Sequence, residues 1–486
     1  MTLSAQEQYL IELINADRLD PTSAAATYGT GLNVGVTTAM GGPIQSTPMQ
    51  VLAHNVHLEG AANDQTEFLL EDGQYFGHTG EGGSSITDRV LATDYANPLT
   101  FRENLSVIFN PGRNQEALVE DHHENLYNSA PHRAAIFDEN QADIGIGLQT
   151  GEFRGSNASM LTEVFGAQSG GRYVTGVAYT DTNNNDFYNI GEALSDVSFA
   201  STSASTDSAA AGGYALDADG NSTDVTISLD GTELGQVTID TSDGNAKLDL
   251  IADGDGGYAL AVSTDTNLTS GIDDATLLGA GNLDLEGHSS ANVLTGNSGN
   301  NTLRGDGGND VLNGGGGRDR LHGGSGNDDL NGGGGLDKLY GKSGEDLLVG
   351  GGGRDKLYGG SGDDVLRGGG KNDVLSGGGG DDLLKGNSGR DVLRGGAGDD
   401  VMHGGGGADR FVFNKGDDEI RDFRDNVDTI EIDDARLGGS DATLDDLMDL
   451  GEIIDGNAVF TFEGGHSLTI DGVTDLNVLA DDLILV

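Results

Sequence analysis

The stretch Gly323-Gly-Ser-Gly-Asn-Asp-Asp-Leu-Asn331 is followed at once by Gly332-Gly-Gly-Gly-Leu-Asp-Lys-Leu-Tyr340, and this nine-residue pattern divides residues 287–412 into fourteen units without a gap. The eighth position is apolar in every unit, and it is leucine in all but the last two. The sixth position is aspartate in twelve units, and the first two units carry asparagine there. A fixed period with an apolar residue in phase predicts a solenoid, because each unit can bury that side chain only against its neighbours.

The glycine-rich half of each unit predicts a tight turn beside a metal ion. Glycine adopts backbone angles that other residues avoid, so the turn can direct its carbonyl oxygens inward next to the aspartate. The three residues around the apolar position then form a short strand, and Ca²⁺ is the cation that prefers oxygen-only ligation of this kind. The predicted calcium ligands are the sixth-position residues Asp310, Asp319, Asp328, Asp337, Asp346, Asp355, Asp364, Asp373, Asp382, Asp391, Asp400 and Asp409.

The repeat resembles the RTX (hemolysin-type, serralysin-like) calcium-binding nonapeptides, and the resemblance implies a parallel β-roll. The alternative is a flexible glycine-rich linker, which has no reason to keep an unbroken period. Each unit buries about one aliphatic side chain, worth ~1.5–3 kcal/mol, whereas ordering its nine residues costs ~1 kcal/mol or more each. We therefore expect the repeats to fold only when they bind Ca²⁺.

The charge of the chain limits its partners. Its 486 residues include 80 acidic and 25 basic side chains, for a formal net charge of −55, and it has no cysteine. Such acidity excludes nucleic acid as a partner, because binding nucleic acid requires a basic surface. The absence of cysteine excludes disulfides and thiol catalysis. The sequence contains no run of 18 apolar residues, so it predicts no transmembrane helix.

The repeats are less acidic than the rest of the chain. They hold 18 acidic and 13 basic residues, so bound Ca²⁺ is expected to make the roll net positive. An anionic polysaccharide or an acidic cell surface is the partner that this charge suggests. The alternative is that the basic residues only keep the metal-free chain soluble.

Residues 413–486 are predicted to form a β cap on the roll, because short apolar runs alternate there with Asp-Asn and Gly-Asn turns. The segment resembles the cap that follows RTX repeats, and Asp481-Asp-Leu-Ile-Leu-Val486 resembles an uncleaved type I secretion signal. A final edge strand is a compatible interpretation. The first residues are polar, and Ser4 with Glu7 predicts a helix cap rather than a secretory leader. We expect export by a type I apparatus and an extracellular location.

Five short motifs in residues 1–169 resemble the bacterial branch of the CAP superfamily (the SCP or PR-1 fold). They are Phe76-Gly-His-Thr-Gly-Glu-Gly-Gly-Ser-Ser85, Arg102-Glu-Asn-Leu105, Asn128-Ser-Ala-Pro-His-Arg133, Ile144-Gly-Ile-Gly147 and Leu161-Thr-Glu-Val-Phe-Gly166. The resemblance implies an α/β/α sandwich with a cleft. Members of that family are associated with proteolysis, lipid carriage and receptor-like binding. The resemblance therefore implies a fold and does not identify one activity.

The fuller members of that family carry a His-Glu-Glu-His tetrad in the cleft. His78 and Glu103 match its first two residues, but Ser129 and Met160 stand near the positions of the other two. His132 is a third candidate for the cleft. The trio His78, Glu103 and His132 is predicted either to hold a metal or polarise a water, or only to join the cleft loops by hydrogen bonds. By contrast, the histidines at 122 and 123 are expected to be solvated in an acidic helix.

Residues 170–286 alternate in the manner of strands, which predicts a small β-sandwich. Within this segment, Asp181-Thr-Asn-Asn-Asn-Asp-Phe-Tyr-Asn-Ile-Gly-Glu192 has the spacing of a calcium loop. The predicted ligands are Asp181, Asn183, Asn185, the carbonyl of Phe187 and Glu192. The sixth position holds an aspartate where glycine is usual, although aspartate tolerates the angles of a tight turn.

Together these patterns predict a multidomain α+β protein. We expect a CAP-like domain at 1–169, a β-sandwich with a calcium loop at 170–286, a β-roll at 287–412, and a β cap with the secretion signal at 413–486. The function expected is that of a secreted calcium-binding protein that presents a CAP-like domain for extracellular ligand binding or adhesion. The alternative is a calcium-dependent extracellular hydrolase, peptidase-like, that uses the CAP cleft.

Overall fold

The first helix, Ala5–Leu19, begins at the capping box that the sequence predicts. The Ser4 hydroxyl accepts a hydrogen bond from the Glu7 amide, and the Glu7 carboxylate accepts one from the Ser4 amide at 2.8 Å. This computed structural model describes residues 3–112, 114–168, 171–253, 256–433 and 443–486. The chain divides into two units, Met1–Gly281 and Asn282–Val486.

The N-terminal part of the first unit is a sheet covered by helices on both faces. Its four strands lie in the order Ala53–His54, Asp143–Phe153, Ser156–Gln168 and Pro98–Phe109, and only the first pair is parallel. Along the second of these strands, side chains alternate between the two layers. Ile144 and Ile146 join the core that includes the first helix, whereas an added Cβ at Gly145 would meet the backbone of the helix Val56–Asp72.

This arrangement confirms the predicted α/β/α sandwich. The helices of this part are Ala5–Leu19, Pro21–Thr27, Val56–Asp72, Ile86–Ala92, Gln115–Asn128 and Ala130–Ile136, with short 3₁₀ turns at Thr38–Met40 and Glu81–Gly83.

The rest of the first unit is the predicted β-sandwich. One sheet is formed in the order Gly213–Asp217, Tyr173–Thr180, Ala246–Ala252, Tyr258–Val262 and Asp274–Leu277. The other is formed in the order Ser205–Asp207, Val197–Ala200, Ser222–Leu229, Thr232–Asp240 and Thr266–Ser270. The sheets bury their facing side chains, and the rings of Phe199 and Tyr214, one from each sheet, stack at 3.7 Å.

The second unit is a parallel β-roll with eighteen residues per coil, so that two nine-residue units make one turn. Every eighth-position side chain from Leu294 to Phe411 is fully buried in the space between two sheets. Strands of the first roll sheet are Asp284–Glu286, Thr302–Gly307, Arg320–Ser325, Lys338–Ser343, Lys356–Ser361, Val374–Gly379, Val392–Ala397 and Arg410–Phe413. Strands of the second roll sheet are Val293–Thr295, Val311–Asn313, Asp329–Asn331, Leu347–Gly353, Val365–Gly370, Leu383–Ser388, Val401–His403 and Asp417–Ile420, with short strands at Gly316–Gly317 and Gly334–Gly335.

Register between coils follows the repeat residue by residue. Leu339 lies opposite Leu357, and Leu348 lies opposite Leu366. Most strands are longer than the three residues that the sequence analysis assigns to them, because the backbone continues in extended form into the glycine turn. Parallel pairing in such a coil needs no separate crossover, since the turn itself carries the chain to the opposite sheet.

Residues beyond 413 continue both roll sheets and then close the roll. Thr429–Ile432 pairs in parallel with Arg410–Phe413, and Leu483–Leu485 adds the next strand. The antiparallel strands Gly451–Ile454, Asn457–Phe462 and His466–Ile470 join the other edge, accompanied by the helix Leu444–Met448 and the 3₁₀ turn Leu476–Leu479. The C-terminal apolar motif therefore forms a final strand, and its role as a secretion signal stays a prediction.

Candidate calcium sites and the N-terminal cleft

The sixth-position residues form two rows, one for each set of alternate units. In both rows, the Oδ1 atom of an aspartate accepts a hydrogen bond from the amide of the sixth-position residue one coil earlier, at 2.8–3.2 Å. One carboxylate oxygen thus joins successive coils.

The second carboxylate oxygen is left for another partner. From Asp310 to Asp400, the Oδ2 atom of each predicted ligand is buried and has no hydrogen-bond partner among the described residues. A buried charged oxygen without a partner is costly, so a row of them at one repeated position indicates a ligand site rather than an accident of packing.

The glycine at the first position of each unit leaves space beside that oxygen. A Cβ added at Gly350 would lie 2.8 Å from Oδ2 of Asp355 and 2.6 Å from the carbonyl oxygen of Gly368, one coil later. The same pair of oxygens recurs at six other first-position glycines, which are Gly314, Gly332, Gly341, Gly359, Gly368 and Gly386. A carboxylate oxygen and a carbonyl oxygen therefore face one small space that only glycine keeps open.

The electrostatics of the rows are those of carboxylates that need a cation. Burial raises the pKa of Asp310 to about 6 and the pKa of Asp364 to about 7, despite the backbone hydrogen bond that each accepts. Without a counter-charge, these groups would take up protons at a higher pH than an exposed aspartate does. An all-oxygen set of carboxylates and carbonyls is the ligand chemistry of Ca²⁺, so the residues present fit the predicted ion.

Asp418 extends the pattern beyond the predicted list. It lies nine residues after Asp409, its Oδ1 accepts from the Asp400 amide at 3.2 Å, and its Oδ2 has no partner among the described residues. Burial, and then the charge of Asp400, raises its pKa to about 8. Sequence reasoning missed it because its unit begins Phe413-Asn-Lys instead of with glycines.

An arginine from the cap occupies the end of the other row. Arg424 donates to the carbonyl of Gly407, lies 3.5 Å from Oδ2 of Asp409 and lies 3.1 Å from Oδ1 of Asp428. Its guanidinium thus contacts the same kinds of oxygen, a turn carbonyl and a sixth-position carboxylate, that face the cation space elsewhere. This contact is independent support for a cation-binding space beside the aspartates.

The loop from Asp181 to Glu192 is folded around its own acidic residues. Asp181 accepts from the amides of Asn183, Asn185 and Asp186 at 3.0–3.3 Å. Asp186 takes the left-handed angle that glycine usually supplies, with φ of 55°. The amide side chains of Asn183 and Asn185 meet Asn189, a convergent ninth-position residue that the sequence analysis did not name.

Glu192 closes this loop from its other end. The Glu192 carboxylate accepts from the Thr182 and Asn189 amides, and burial is nearly complete. Phe187, the predicted carbonyl ligand, packs its ring against Tyr9 of the N-terminal sandwich at 6.0 Å. The loop therefore has the shape of a calcium loop, and its five predicted ligands stay a prediction.

In the N-terminal cleft, two of the three candidates are in contact. His78 Nδ1 lies 2.8 Å from Glu103 Oε1, and the histidine is exposed. The other oxygen of Glu103 pairs with Arg89, which is almost fully buried and which sequence reasoning missed. Burial, and then the charge of His78, lowers the pKa of His132.

This geometry favours hydrogen bonding over metal binding. One carboxylate oxygen of Glu103 contacts His78 and the other pairs with Arg89. Glu103 therefore has no unoccupied oxygen with which to act as a general base. The ligand atoms of His78, Glu103 and His132 do not form a group within 4.8 Å of one another. A buried glutamate does require a partner, but no local pattern identified Arg89 as that partner.

The expectation for His122 and His123 is wrong, because both are fully buried. His122 is held between the hydroxyls of Ser106 and Ser159 at 2.9 Å each, and burial lowers its pKa to about 4. His123 contacts Asp17 at 2.9 Å. They lie on the buried face of the helix Gln115–Asn128, so they are core residues rather than surface groups.

A separate cavity of about 210 Å³ lies in the N-terminal sandwich. Met40, Ile44 and Phe137 supply apolar walls, and Arg102 lines it while paired with Asp138 at 2.5 Å. Asp138 and Glu139 line it as well, so charged and apolar side chains together form its wall. A concave space with a few convergent polar groups is the usual form of a small-molecule site.

Comparison with known proteins agrees with both halves of the chain. Residues 11–165 match the CAP family model, described as the Cysteine-rich secretory protein family. Four copies of the RTX calcium-binding nonapeptide repeat match residues 286–321, 322–357, 358–393 and 385–420. The predicted resemblances are therefore confirmed: the chain combines a CAP domain with calcium-binding RTX repeats.

No curated protein matches the chain. Among solved structures, the extracellular lipase LipA from Serratia marcescens is similar at 19% identity, over 43% of this chain and 40% of that one, with a TM-score of 0.22. The chain thus spans less than half the length of that lipase. None of the helices among the described residues is long and apolar enough to cross a membrane.

Proposed function

We propose that this chain is an extracellular protein whose RTX roll folds when it binds Ca²⁺ and which presents a CAP domain outside the cell. The observation that carries the proposal is the row of buried Oδ2 atoms from Asp310 to Asp400, which have no hydrogen-bond partner in the part of the chain that the structure describes. We propose the twelve predicted aspartates and Asp418 as ligands, together with the loop from Asp181 to Glu192. The proposed domains keep the predicted boundaries at 169, 286 and 412.

If the calcium sites are weak, the calcium concentration determines whether the roll folds inside or outside the cell. Extracellular modules bind Ca²⁺ with dissociation constants of about 10⁻⁴–10⁻³ M, which cytosolic calcium does not reach. The roll would stay unfolded inside the cell, could pass through a type I secretion apparatus, and would fold outside. An anionic polysaccharide or cell surface is the partner we propose for the folded roll.

The test compares the full chain in excess EGTA with the same sample after calcium is restored. The expected result is a large, reversible gain of β-sheet ellipticity when calcium is added, and no gain with equal Mg²⁺, which dehydrates reluctantly. An unchanged spectrum would contradict the proposal.

For the CAP domain, we propose ligand binding or adhesion. The cavity near Arg102 supports this function. The ion pair between Glu103 and Arg89 weighs against acid–base catalysis by Glu103. The second candidate is a calcium-dependent peptidase-like hydrolase, which the contact between His78 and Glu103 favours.

A peptide-library or casein assay in calcium, with wild type and His78→Ala, separates the two. Ligand binding predicts no activity in either protein. Activity that calcium restores and His78→Ala abolishes would establish the hydrolase instead. His57→Ala is a suitable control, because His57 lies outside the cleft motifs.

A further inference from the structure

The roll has two unlike charge faces, because charge alternates with a period of eighteen residues. The units that end in the first roll sheet cover residues 296–304, 314–322, 332–340, 350–358, 368–376, 386–394 and 404–412. Their only acidic residues are the buried sixth-position aspartates, whereas they hold ten basic residues. All exposed formal charge in this set is therefore positive.

The intervening units, which end in the second roll sheet, carry the opposite sign. Besides their sixth-position aspartates, they expose Asp306, Asp329, Glu345, Asp363, Asp381 and Asp399. Their basic residues up to residue 403 are Lys342, Arg367 and Lys385. A coil that alternates in this way concentrates positive charge on one side of the roll.

Five of the basic residues line a groove of about 600 Å³ along the first roll sheet. They are Arg318, Arg320, Lys338, Arg354 and Lys356. None of the five forms an ion pair with any residue that the structure describes. We call this surface, defined by these five residues, the basic groove.

The spacing within the basic groove is regular. Arg320 lies opposite Lys338, and Lys338 lies opposite Lys356, on successive strands. Neighbouring strands are about 4.8 Å apart, which is close to the length of one sugar residue in an extended polysaccharide. A linear polymer with repeated anionic groups can therefore meet several cations at once.

Aromatic side chains run beside the cations. The rings of His322, Tyr340 and Tyr358 stack in parallel at 4.8 and 5.0 Å. Because Tyr340 is covered on both faces, it offers its hydroxyl edge and not a platform for a nucleobase, which single-strand binding proteins require. Hydroxyl edges next to cations suit a polymer rich in hydroxyl and carboxylate groups.

Calcium controls the net charge of this side. Asp319, Asp337 and Asp355 also line the basic groove, and their Oδ2 atoms are without partners among the described residues. If they bind Ca²⁺ as proposed above, their negative charge is neutralised and the five cations dominate. The metal-free chain lacks both the ordered strands and this charge balance.

We propose that the basic groove binds a linear acidic polysaccharide when the roll is loaded with calcium. The inference rests on the proposed calcium-dependent folding, and it assigns the proposed polysaccharide partner to a defined site on the roll.

The experiment measures binding of fluorescent hyaluronate to the full chain by anisotropy, in calcium at low and at moderate salt. The test variant Lys338→Ser with Lys356→Ser removes two cations from adjacent coils of the groove. The control Arg367→Ser with Lys385→Ser removes two cations that also lie opposite each other, on the second roll sheet. If each exposed ion pair contributes about a twofold factor, the groove variant loses about fourfold affinity and the control changes less than twofold.

Each other outcome is decisive. Equal losses in the two variants would overturn the site, and binding of neutral dextran or of duplex DNA as tightly as hyaluronate would overturn the ligand class. Circular dichroism of the same samples reports calcium-dependent folding. A chain that folds with calcium and ignores hyaluronate refutes this inference alone, whereas a chain that does not respond to calcium refutes the proposed function.

Discussion

Filling one cation space with a methyl group should weaken calcium binding by a predictable amount. In Gly350→Ala, the new Cβ would lie 2.8 Å from Oδ2 of Asp355 and 2.6 Å from the Gly368 carbonyl oxygen. Real Cβ atoms essentially never approach other atoms closer than 3.0 Å, so both oxygens must move apart. Because Ca²⁺ needs its oxygens at about 2.3–2.6 Å, we expect the site to be lost.

The loss of folding free energy expected for Gly350→Ala has two parts. At calcium ten to a hundred times above the dissociation constant, losing one ion removes about 1.4–2.7 kcal/mol of stability. Overpacking adds about 1–3 kcal/mol. The total of about 2.5–5.5 kcal/mol should raise the calcium concentration at the midpoint of roll folding, and equilibrium dialysis should find at least one fewer bound ion.

Gly352→Ala is the matched control, in the same unit and the same strand. Its Cβ would meet nothing closer than the Gly333 carbonyl oxygen at 4.0 Å, and its backbone does not need a left-handed angle. We expect a change of about 0.5 kcal/mol or less. If Gly350→Ala matched Gly352→Ala in midpoint and in bound calcium, the assignment of the cation space would be refuted.

Three further predictions follow from the same contacts. Burial raises the pKa of Asp310 and Asp418 above the unfolded value, so the stability that these carboxyls contribute to the metal-free roll is full below pH ~4 and is lost as pH rises through about 6–8. In protein stripped of calcium and dialysed into calcium-free buffer, β-sheet ellipticity should therefore be greater at pH 5 than at pH 8, and no difference would contradict the shifts. Arg424→Met should leave Asp409 without its cation and lower the melting temperature of the folded roll at limiting calcium, with partial recovery in excess calcium, whereas Arg421→Met, whose pair with Glu419 is exposed, should change it little. Glu192→Gln should reduce bound calcium by one ion without changing the roll, as measured by equilibrium dialysis, and an unchanged ion count would remove the loop from the calcium sites.

The roll could be predicted from the sequence because its determinants are local and periodic. Sixth-position aspartates and eighth-position apolar residues recur every nine residues, so each position's environment follows from its place in the unit. Asp418 was not predicted as a ligand, because its unit has Phe413 and Asn414 where the other units have glycine. The period still places Asp418 correctly, so counting from the aspartates would have found it.

Other features depended on contacts between distant residues. Arg424 reaches the aspartate row from an irregular part of the cap, and Arg89 reaches Glu103 from a short helix. For His122 and His123 a signal was present, since Val119 and Leu126 lie on the same helical face. The charge alternation became meaningful only when two units were known to form one coil.

Ca²⁺ supplies the cohesion that the glycine-rich coils lack. Amide hydrogen exchange of the full chain, followed by mass spectrometry in calcium and in EGTA, tests it residue range by residue range. We expect strong protection of residues 305–420 in calcium and exchange near the unfolded rate in EGTA, while the helix Val56–Asp72 stays protected in both. Equal protection of residues 305–420 with and without calcium would contradict the claim.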